Sequence, residues 1–214
     1  MSISENKLRE AISNEEFDEV KNILNTTLVD INYKDSDGWS FLMLASALGH
    51  LNVVELLLDN DANINEKNDS GRSSLMISSM QGHLDVVELL LSRGANINDK
   101  DEYGNTALML ASRDEQIDVV KLLLSKGANF KDKDDNGETA LDKTTNTEIR
   151  QILERWPATM PMIALQDKLP LVDPYSFIEL NEYLGGKKRK TIKKKSKKRK
   201  SIKKKSKKSK KRKS

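Results

Sequence analysis

The side chains best suited to acid–base or metal chemistry in this chain are two histidines. His50 and His83 are the only histidines among the 214 residues, and they lie 33 positions apart. An imidazole titrates near neutral pH and ligates metal ions, so histidine is the first residue to consider for proton transfer or metal binding. Each one, however, stands in the same local sequence, Gly-His-Leu, which indicates one structural role used twice. We therefore predict no catalytic residue and no metal site.

Other reactive groups give no stronger signal for catalysis. The chain has no cysteine, which excludes disulfides and thiolate chemistry and is typical of a reducing compartment. The stretch Leu-Gly-Gly-Lys at 184–187 lacks the spacing and the strand–loop–helix context of a phosphate-binding loop. Carboxylates are numerous, but they recur in turns, which favours a solvated surface. We predict that the protein is not an enzyme and needs no cofactor.

The elements that carry these residues repeat. The sequence GHLNVVELLLDNDANIN begins at Gly49, and GHLDVVELLLSRGANIN begins at Gly82. A fixed period of about 20–50 residues is typical of architectures in which repeated units stack. Each unit predicts a hydroxyl N-cap, a short first helix ended by glycine, and a second helix with an apolar face. First-helix caps are predicted at Ser40, Ser73, Thr106 and Thr139. Second-helix caps are predicted at Asn52, Asp85 and Asp118.

Three motifs at these spacings, DEYGNTALMLA, GHLDVVELLL and RGANIN, resemble the ankyrin repeat. The resemblance implies an all-α fold, an ankyrin-repeat solenoid of stacked helix-turn-helix units with short hairpin loops. Glu115 stands where Gly49 and Gly82 end their helices, which predicts strain of about 1 kcal/mol. Methionine replaces the family's histidine at Met43, Met76 and Met109. Five repeats are predicted, the first divergent and the last truncated, at 2–34, 35–67, 68–100, 101–133 and 134–156. Core leucines are predicted at Leu56, Leu57, Leu89, Leu90, Leu122 and Leu123.

The resemblance also implies a binding scaffold. Ankyrin stacks hold protein partners on a concave face, which is the surface made by the hairpin tips and the first helices. Aromatic side chains at such positions are typical binding hot spots. The alternative is that Trp39 and Tyr103 pack on the neighbouring hairpin. The family's variable contact positions predict these partner-binding residues: Asp37, Trp39, Leu48, Asp69, Arg72, Met80, Glu102, Tyr103, Asn105, Arg113 and Glu138.

A turn asparagine recurs at Asn32, Asn65 and Asn98, the position that is hydroxylated in some ankyrin proteins. A turn hydrogen bond is the simpler interpretation. All four prolines lie between 157 and 174, so helical stacking is predicted to end near Trp156. The segment 157–186 contains enough apolar residues either to cap the open end of the last repeat or to recruit a partner, and both interpretations stay open.

The end of the chain differs from the rest in charge. Residues 187–214 contain 20 Lys or Arg and no Asp or Glu, which leaves 17 basic and 33 acidic residues in 1–186. Such a charge density predicts a disordered basic tail that contacts phosphates or an import receptor. Its Lys-rich repeats are similar to the C-terminal tails of proteins from large DNA viruses. The targeting residues are predicted to be Lys187, Lys188, Arg189, Lys190, Lys197, Lys198, Arg199 and Lys200.

These features together predict a monomeric, non-enzymatic adaptor. It binds an unidentified protein on its concave face and uses the basic tail for nuclear targeting or for phosphate-rich partners. The alternative is a nucleic-acid-associated protein whose acidic repeats modulate a DNA- or RNA-binding tail. No apolar run approaches the roughly 18 residues of a membrane span, and the N-terminal sequence lacks the apolar stretch of a signal peptide. We expect a soluble intracellular protein, in the nucleus or in the cytoplasm.

Overall fold

The computed structural model describes residues 2–163, and the side chains of residues 2–156. Within that range the chain forms ten helices and no strand, which confirms the all-α prediction. Residues up to Trp156 form one compact unit. The helices follow in pairs: α1 (Ile3–Ser13) and α2 (Phe17–Thr26), α3 (Phe41–Leu48) and α4 (Leu51–Asp59), α5 (Ser74–Gln81) and α6 (Leu84–Ser92), α7 (Ala107–Arg113) and α8 (Ile117–Ser125), α9 (Ala140–Lys143) and α10 (Thr147–Ile163).

The pairs stack in two rows. The first helices pack against one another in the order α1, α3, α5, α7 and α9, and the second helices α2, α4, α6 and α8 form the row behind them. The apolar core lies between the rows. Leu57, Leu90 and Leu123 are fully buried there, as predicted. Their neighbours are only half-buried because they lie toward the outer side of each second helix, at Leu56, Leu89 and Leu122.

The first helices begin where the sequence predicts. The hydroxyls of Ser40, Ser73 and Thr106 each accept the backbone N–H three residues later, at 3.3 to 3.4 Å, and Thr139 forms a capping box with Asp142. These bonds satisfy backbone donors that a helix N-terminus otherwise leaves unpaired. Isolated antiparallel bridges, Lys34 with Ser40 and Lys67 with Ser73, close the hairpins before α3 and α5.

The predicted caps of the second helices are wrong. These helices begin two residues earlier than expected, so that His50, His83 and Gln116 are the N-cap residues, without a side-chain capping bond. The loop between the paired helices has only two residues, such as Gly49 and His50, and the predicted caps lie beyond it. Asn52, Asp85 and Asp118 lie instead in the first helical turn. There the carboxylates of Asp85 and Asp118 interact favourably with the positive end of the helix dipole.

The loop between paired helices requires a left-handed residue. Gly49 has φ 77° and Gly82 has φ 82°, and Glu115 takes the same conformation with φ 59°, as predicted. A Cβ at Gly49 would lie 2.6 Å from the Nδ1 atom of His83, so a side chain there would displace that ring. Beside Glu115 there is room, and the hydroxyl of Thr145 donates to its carboxylate at 3.2 Å.

The chain continues as helix beyond the predicted end of the stack. Helix α10 runs to Ile163, so the chain stays helical past Trp156, although the compact unit itself ends at Trp156, near the predicted end of the stacking. A proline removes one helical hydrogen bond, but its φ is helical, so it does not always end the helix. None of the helices that the structure describes is long and apolar enough to cross a membrane. The predictions for 164–186 and for the basic tail at 187–214 lie outside the described residues.

Candidate functional site

Each hairpin is shaped by one polar residue at its base. The Oδ1 atom of Asp35 accepts the backbone N–H groups of Asp37 and Trp39, at 3.0 and 2.8 Å. Burial raises the pKa of Asp35, but the hydrogen bonds that it accepts from the Trp39 N–H and the Arg9 guanidinium lower that pKa by more than burial raises it. The net pKa of Asp35 is therefore below its ordinary value. The same pair of bonds is formed by Asn68, Asp101 and Asp134.

Stacking places the hairpin tips side by side. The N–H groups of Asp69, Glu102 and Asp135 donate to the carbonyl at the preceding tip, at 3.1 to 3.3 Å. The turn asparagines act in the same direction, because the Oδ1 atoms of Asn32, Asn65 and Asn98 accept a backbone N–H of the next repeat at 2.8 to 2.9 Å. The predicted turn hydrogen bond is thus confirmed, and it crosses from one repeat to the next.

A ladder of lysines is a feature that the sequence analysis missed. The Nζ atom of Lys34 donates to the carbonyl of Lys67, Lys67 to that of Lys100, and Lys100 to that of Lys133, at 2.7 to 2.8 Å. The spacing of 33 residues between these lysines was the available signal. The ladder fixes each hairpin relative to the next, so the contact positions that the hairpins present are held in register.

Three of the predicted contact residues (Arg72, Tyr103 and Asn105) have polar atoms beside one buried carboxylate, that of Asp101. Its side chain has no solvent exposure, and its Oδ2 atom lies 3.6 Å from the Nε atom of Arg72. The Nη1 atom of Arg72 lies 4.0 Å from the sulfur of Met80, so the hairpin side chain reaches the first helix α5. Tyr103 lies on the adjoining tip, where a hydrogen bond to Glu102 raises the pKa of its hydroxyl. Arg113, on α7, is paired with a different carboxylate, that of Asp114, at 2.9 Å.

The predicted contact residues differ in how much surface they offer. Tyr103 is 56% exposed and Leu48 is 43% exposed. Asn105 is buried instead, and its amide donates to the carboxylate of Asp101 at 3.2 and 3.3 Å. Trp39, Arg72 and Met80 are half-buried. The charged members are exposed at Asp37, Asp69, Glu102, Arg113 and Glu138.

The two histidines make contacts between neighbouring repeats. The Nε2 atom of His83 lies 2.9 Å from the carbonyl oxygen of Ala47 in the preceding repeat. Because a carbonyl only accepts, Nε2 carries the proton. Gln116 makes the equivalent bond to Met80 at 3.2 Å, and His50 Nδ1 lies 3.6 Å from Glu15. Within the described side chains, no three His, Asp or Glu residues lie close enough together to hold a metal ion.

Comparison with known families agrees with this geometry. A family model described as ankyrin repeats in three copies matches residues 8–101, and one described as ankyrin repeats in many copies matches residues 90–143. The two matches overlap and together cover most of the residues that the structure describes. No curated protein matches the chain. The predicted targeting residues, Lys187 to Lys190 and Lys197 to Lys200, lie outside the described residues.

Proposed function

Because the chain belongs to the ankyrin-repeat family, whose repeats bind protein partners, we propose that it is a non-enzymatic adaptor that holds its partner on the concave face. The observation that carries the proposal is the exposure of Leu48 and Tyr103, at 43% and 56%. Both residues belong to elements of that face, the end of a first helix and a hairpin tip. Large apolar side chains left in water there gain free energy when a partner covers them.

The predicted contact residues take different parts in this proposal. Trp39, Leu48, Met80 and Tyr103 supply apolar area, and Arg72 and Arg113 supply hydrogen-bond donors. Asn105 acts indirectly, because its buried amide orients the carboxylate of Asp101 and thereby the hairpin. The exposed carboxylates form a polar rim at Asp37, Asp69, Glu102 and Glu138.

Replacement of the two aromatic residues tests the proposal. We expect the double variant Trp39→Ala and Tyr103→Ala to lose at least about 2 kcal/mol of binding free energy, or about thirtyfold in affinity, if both are hot spots. Affinity purification of the full chain with either variant identifies the partner and measures the loss. Leu84→Ala is the control, because Leu84 is 37% exposed on a second helix. Retained binding together with a lower melting temperature would show that the aromatic residues only pack.

We propose a separate role for the tail, in nuclear targeting and in contact with phosphate-rich partners. The observation in its favour is composition, since 20 of the last 28 residues are Lys or Arg. The similarity to the tails of proteins from large DNA viruses rests on the same Lys-rich repeats. The second candidate function is that of a nucleic-acid-associated protein in which the repeats only modulate the tail. Deletion of 187–214 separates the two, because an adaptor keeps its protein partner and a nucleic-acid-binding protein loses its ligand.

A further inference from the structure

The apolar side chains and the unpaired charges that the concave face exposes indicate the chemistry of the proposed partner. The apolar part of this face includes Leu48, Met80 and Tyr103 in addition to the half-buried Trp39. Arg72 joins this part to the hairpins, because its guanidinium lies beside the buried Asp101 at 3.6 Å and beside the sulfur of Met80 at 4.0 Å. The apolar residues and the hairpin tips therefore share one surface.

The two arginines of this surface already lie beside carboxylates of the same chain. Arg72 is paired with Asp101, and Arg113 is paired with Asp114 at 2.9 Å. A carboxylate of the same chain already lies beside each guanidinium, so an acidic ligand would compete with it. A partner that carries phosphates or acidic side chains would therefore displace existing ion pairs here.

The negative charges at the tips are not neutralised. Each of the four hairpins exposes one carboxylate at its tip, and among the described residues none of these carboxylates takes part in an ion pair. Stacking of the tips through backbone bonds sets them in a row, one per repeat. These tip carboxylates are Asp37, Asp69, Glu102 and Asp135.

We infer that the concave face binds a basic segment of a partner protein, with lysines or arginines along the tip carboxylates and an apolar side chain against Leu48, Met80 and Tyr103. The inference rests on the proposed function and adds the chemistry of the partner. Nucleic acid does not suit this face, because its phosphates would meet the tip carboxylates. Opposite charges on two surfaces favour the correct partner and exclude wrong ones.

The test compares two matched triple variants of the full chain. The tip variant carries Asp69→Asn, Glu102→Gln and Asp135→Asn. The control variant carries Asp18→Asn, Glu19→Gln and Asp85→Asn, which removes the same charges from exposed positions on second helices. Each fluorescent protein probes a library of random 16-residue peptides displayed on neutral beads. The Lys-rich segment is the same in all three proteins, so peptides that bind this segment give equal signals.

We expect the peptides that bind wild type and control, but not the tip variant, to be enriched in Lys and Arg and to carry at least one large apolar residue. As soluble peptides they should bind the tip variant about tenfold more weakly, since three exposed ion pairs are lost. Adding salt should weaken the wild-type complex toward the same value.

Three outcomes would overturn the inference. If the peptides need Trp39 and Tyr103 for binding but are not enriched in Lys and Arg, the proposed function holds and the inference of a basic partner is wrong. Equal losses with the tip and control variants would show that only overall charge matters. If no peptide responds to the tip charges or to Trp39 and Tyr103, the proposed function fails as well. Unchanged circular dichroism of both variants establishes that each is folded.

Discussion

At the scale of single residues, the polar groups inside the stack decide what a substitution costs. Ser46, Ser79 and Ser112 occupy equivalent positions in three first helices, and all are fully buried. Among the residues that the structure describes, none offers these hydroxyls a hydrogen-bond partner. Burial of an unsatisfied hydroxyl costs free energy, because the group gives up its bonds to water without replacement. Ser78 is equally buried, but its hydroxyl donates to the carbonyl of Ser74 at 2.9 Å.

Neighbouring serines therefore provide a matched comparison. We expect Ser79→Ala to raise the free energy of unfolding by about 1 kcal/mol, because it removes an unpaired hydroxyl and alanine favours the helix. Ser78→Ala gives up a hydrogen bond as well and should gain less or lose stability. Urea denaturation of both variants measures the difference. A larger gain for Ser78→Ala would mean that the Ser79 hydroxyl has a partner in solution.

The last hairpin contains an ion pair that should make stability depend on pH. Lys143 pairs with the buried carboxylate of Asp134 and with Glu138, the latter at 2.7 Å. This pairing lowers the pKa of Asp134 and raises the pKa of Lys143. Since the carboxyl pKa is lower in the folded chain, its contribution is present above the unfolded value of about 4 and is lost as the pH falls through the folded value.

Asp134→Asn isolates that charge. Asparagine keeps the Oδ1 acceptor for the two hairpin N–H groups, as Asn68 does at the equivalent position two repeats earlier. We expect the variant to be less stable than wild type at pH 7, and the difference to shrink below about pH 4 and to vanish once the pH falls below the lowered pKa of Asp134. Melting temperatures from pH 2 to 7 measure it. A difference that stays constant in acid would contradict an ionic origin.

At the scale of the helices, burial separates neighbouring leucines. Leu90 of α6 is fully buried, whereas Leu89 beside it is half-buried. Leu90→Ala should destabilise the chain by about 2–5 kcal/mol through the cavity it leaves, and Leu89→Ala by less than about half as much. Chemical denaturation followed by circular dichroism gives both values. Similar losses would mean that α6 is rotated relative to the structure.

Local signals in the sequence were sufficient to predict the N-caps of the first helices, but not those of the second helices. Ser40 caps α3 through a bond to a backbone group three residues away, so its role can be read from the sequence alone. Asn52 has the right residue type for a cap, but the two-residue loop ends before it, and His50 takes the place. The lysine ladder and the grouping around Asp101 depend on contacts between repeats, which become visible only when the repeats are stacked.

At the scale of the whole molecule, charge divides the chain. The first 186 residues contain 33 acidic and 17 basic residues, and the remaining 28 contain 20 basic residues and no acidic one. The proposed functions use these parts differently, because the acidic face would take a protein and the Lys-rich segment would take phosphates. Added salt should weaken both kinds of binding, but by different amounts, because the two interactions use different numbers of charges.

The salt dependence of DNA binding therefore tests the proposed role of residues 187–214. If this segment contacts about 6–10 phosphates, the affinity of the full chain for a DNA duplex should fall by about 10³ to 10⁵ between 50 and 200 mM salt, because each contact releases counterions. Fluorescence anisotropy with a labelled duplex measures this slope. A chain that ends at residue 186 should not bind, since its excess of carboxylates repels phosphates, yet it should keep its protein partner. The peptide 187–214 alone should bind more tightly than the full chain at low salt. DNA binding that survives the truncation would place the nucleic-acid site in the repeats and contradict the assignment.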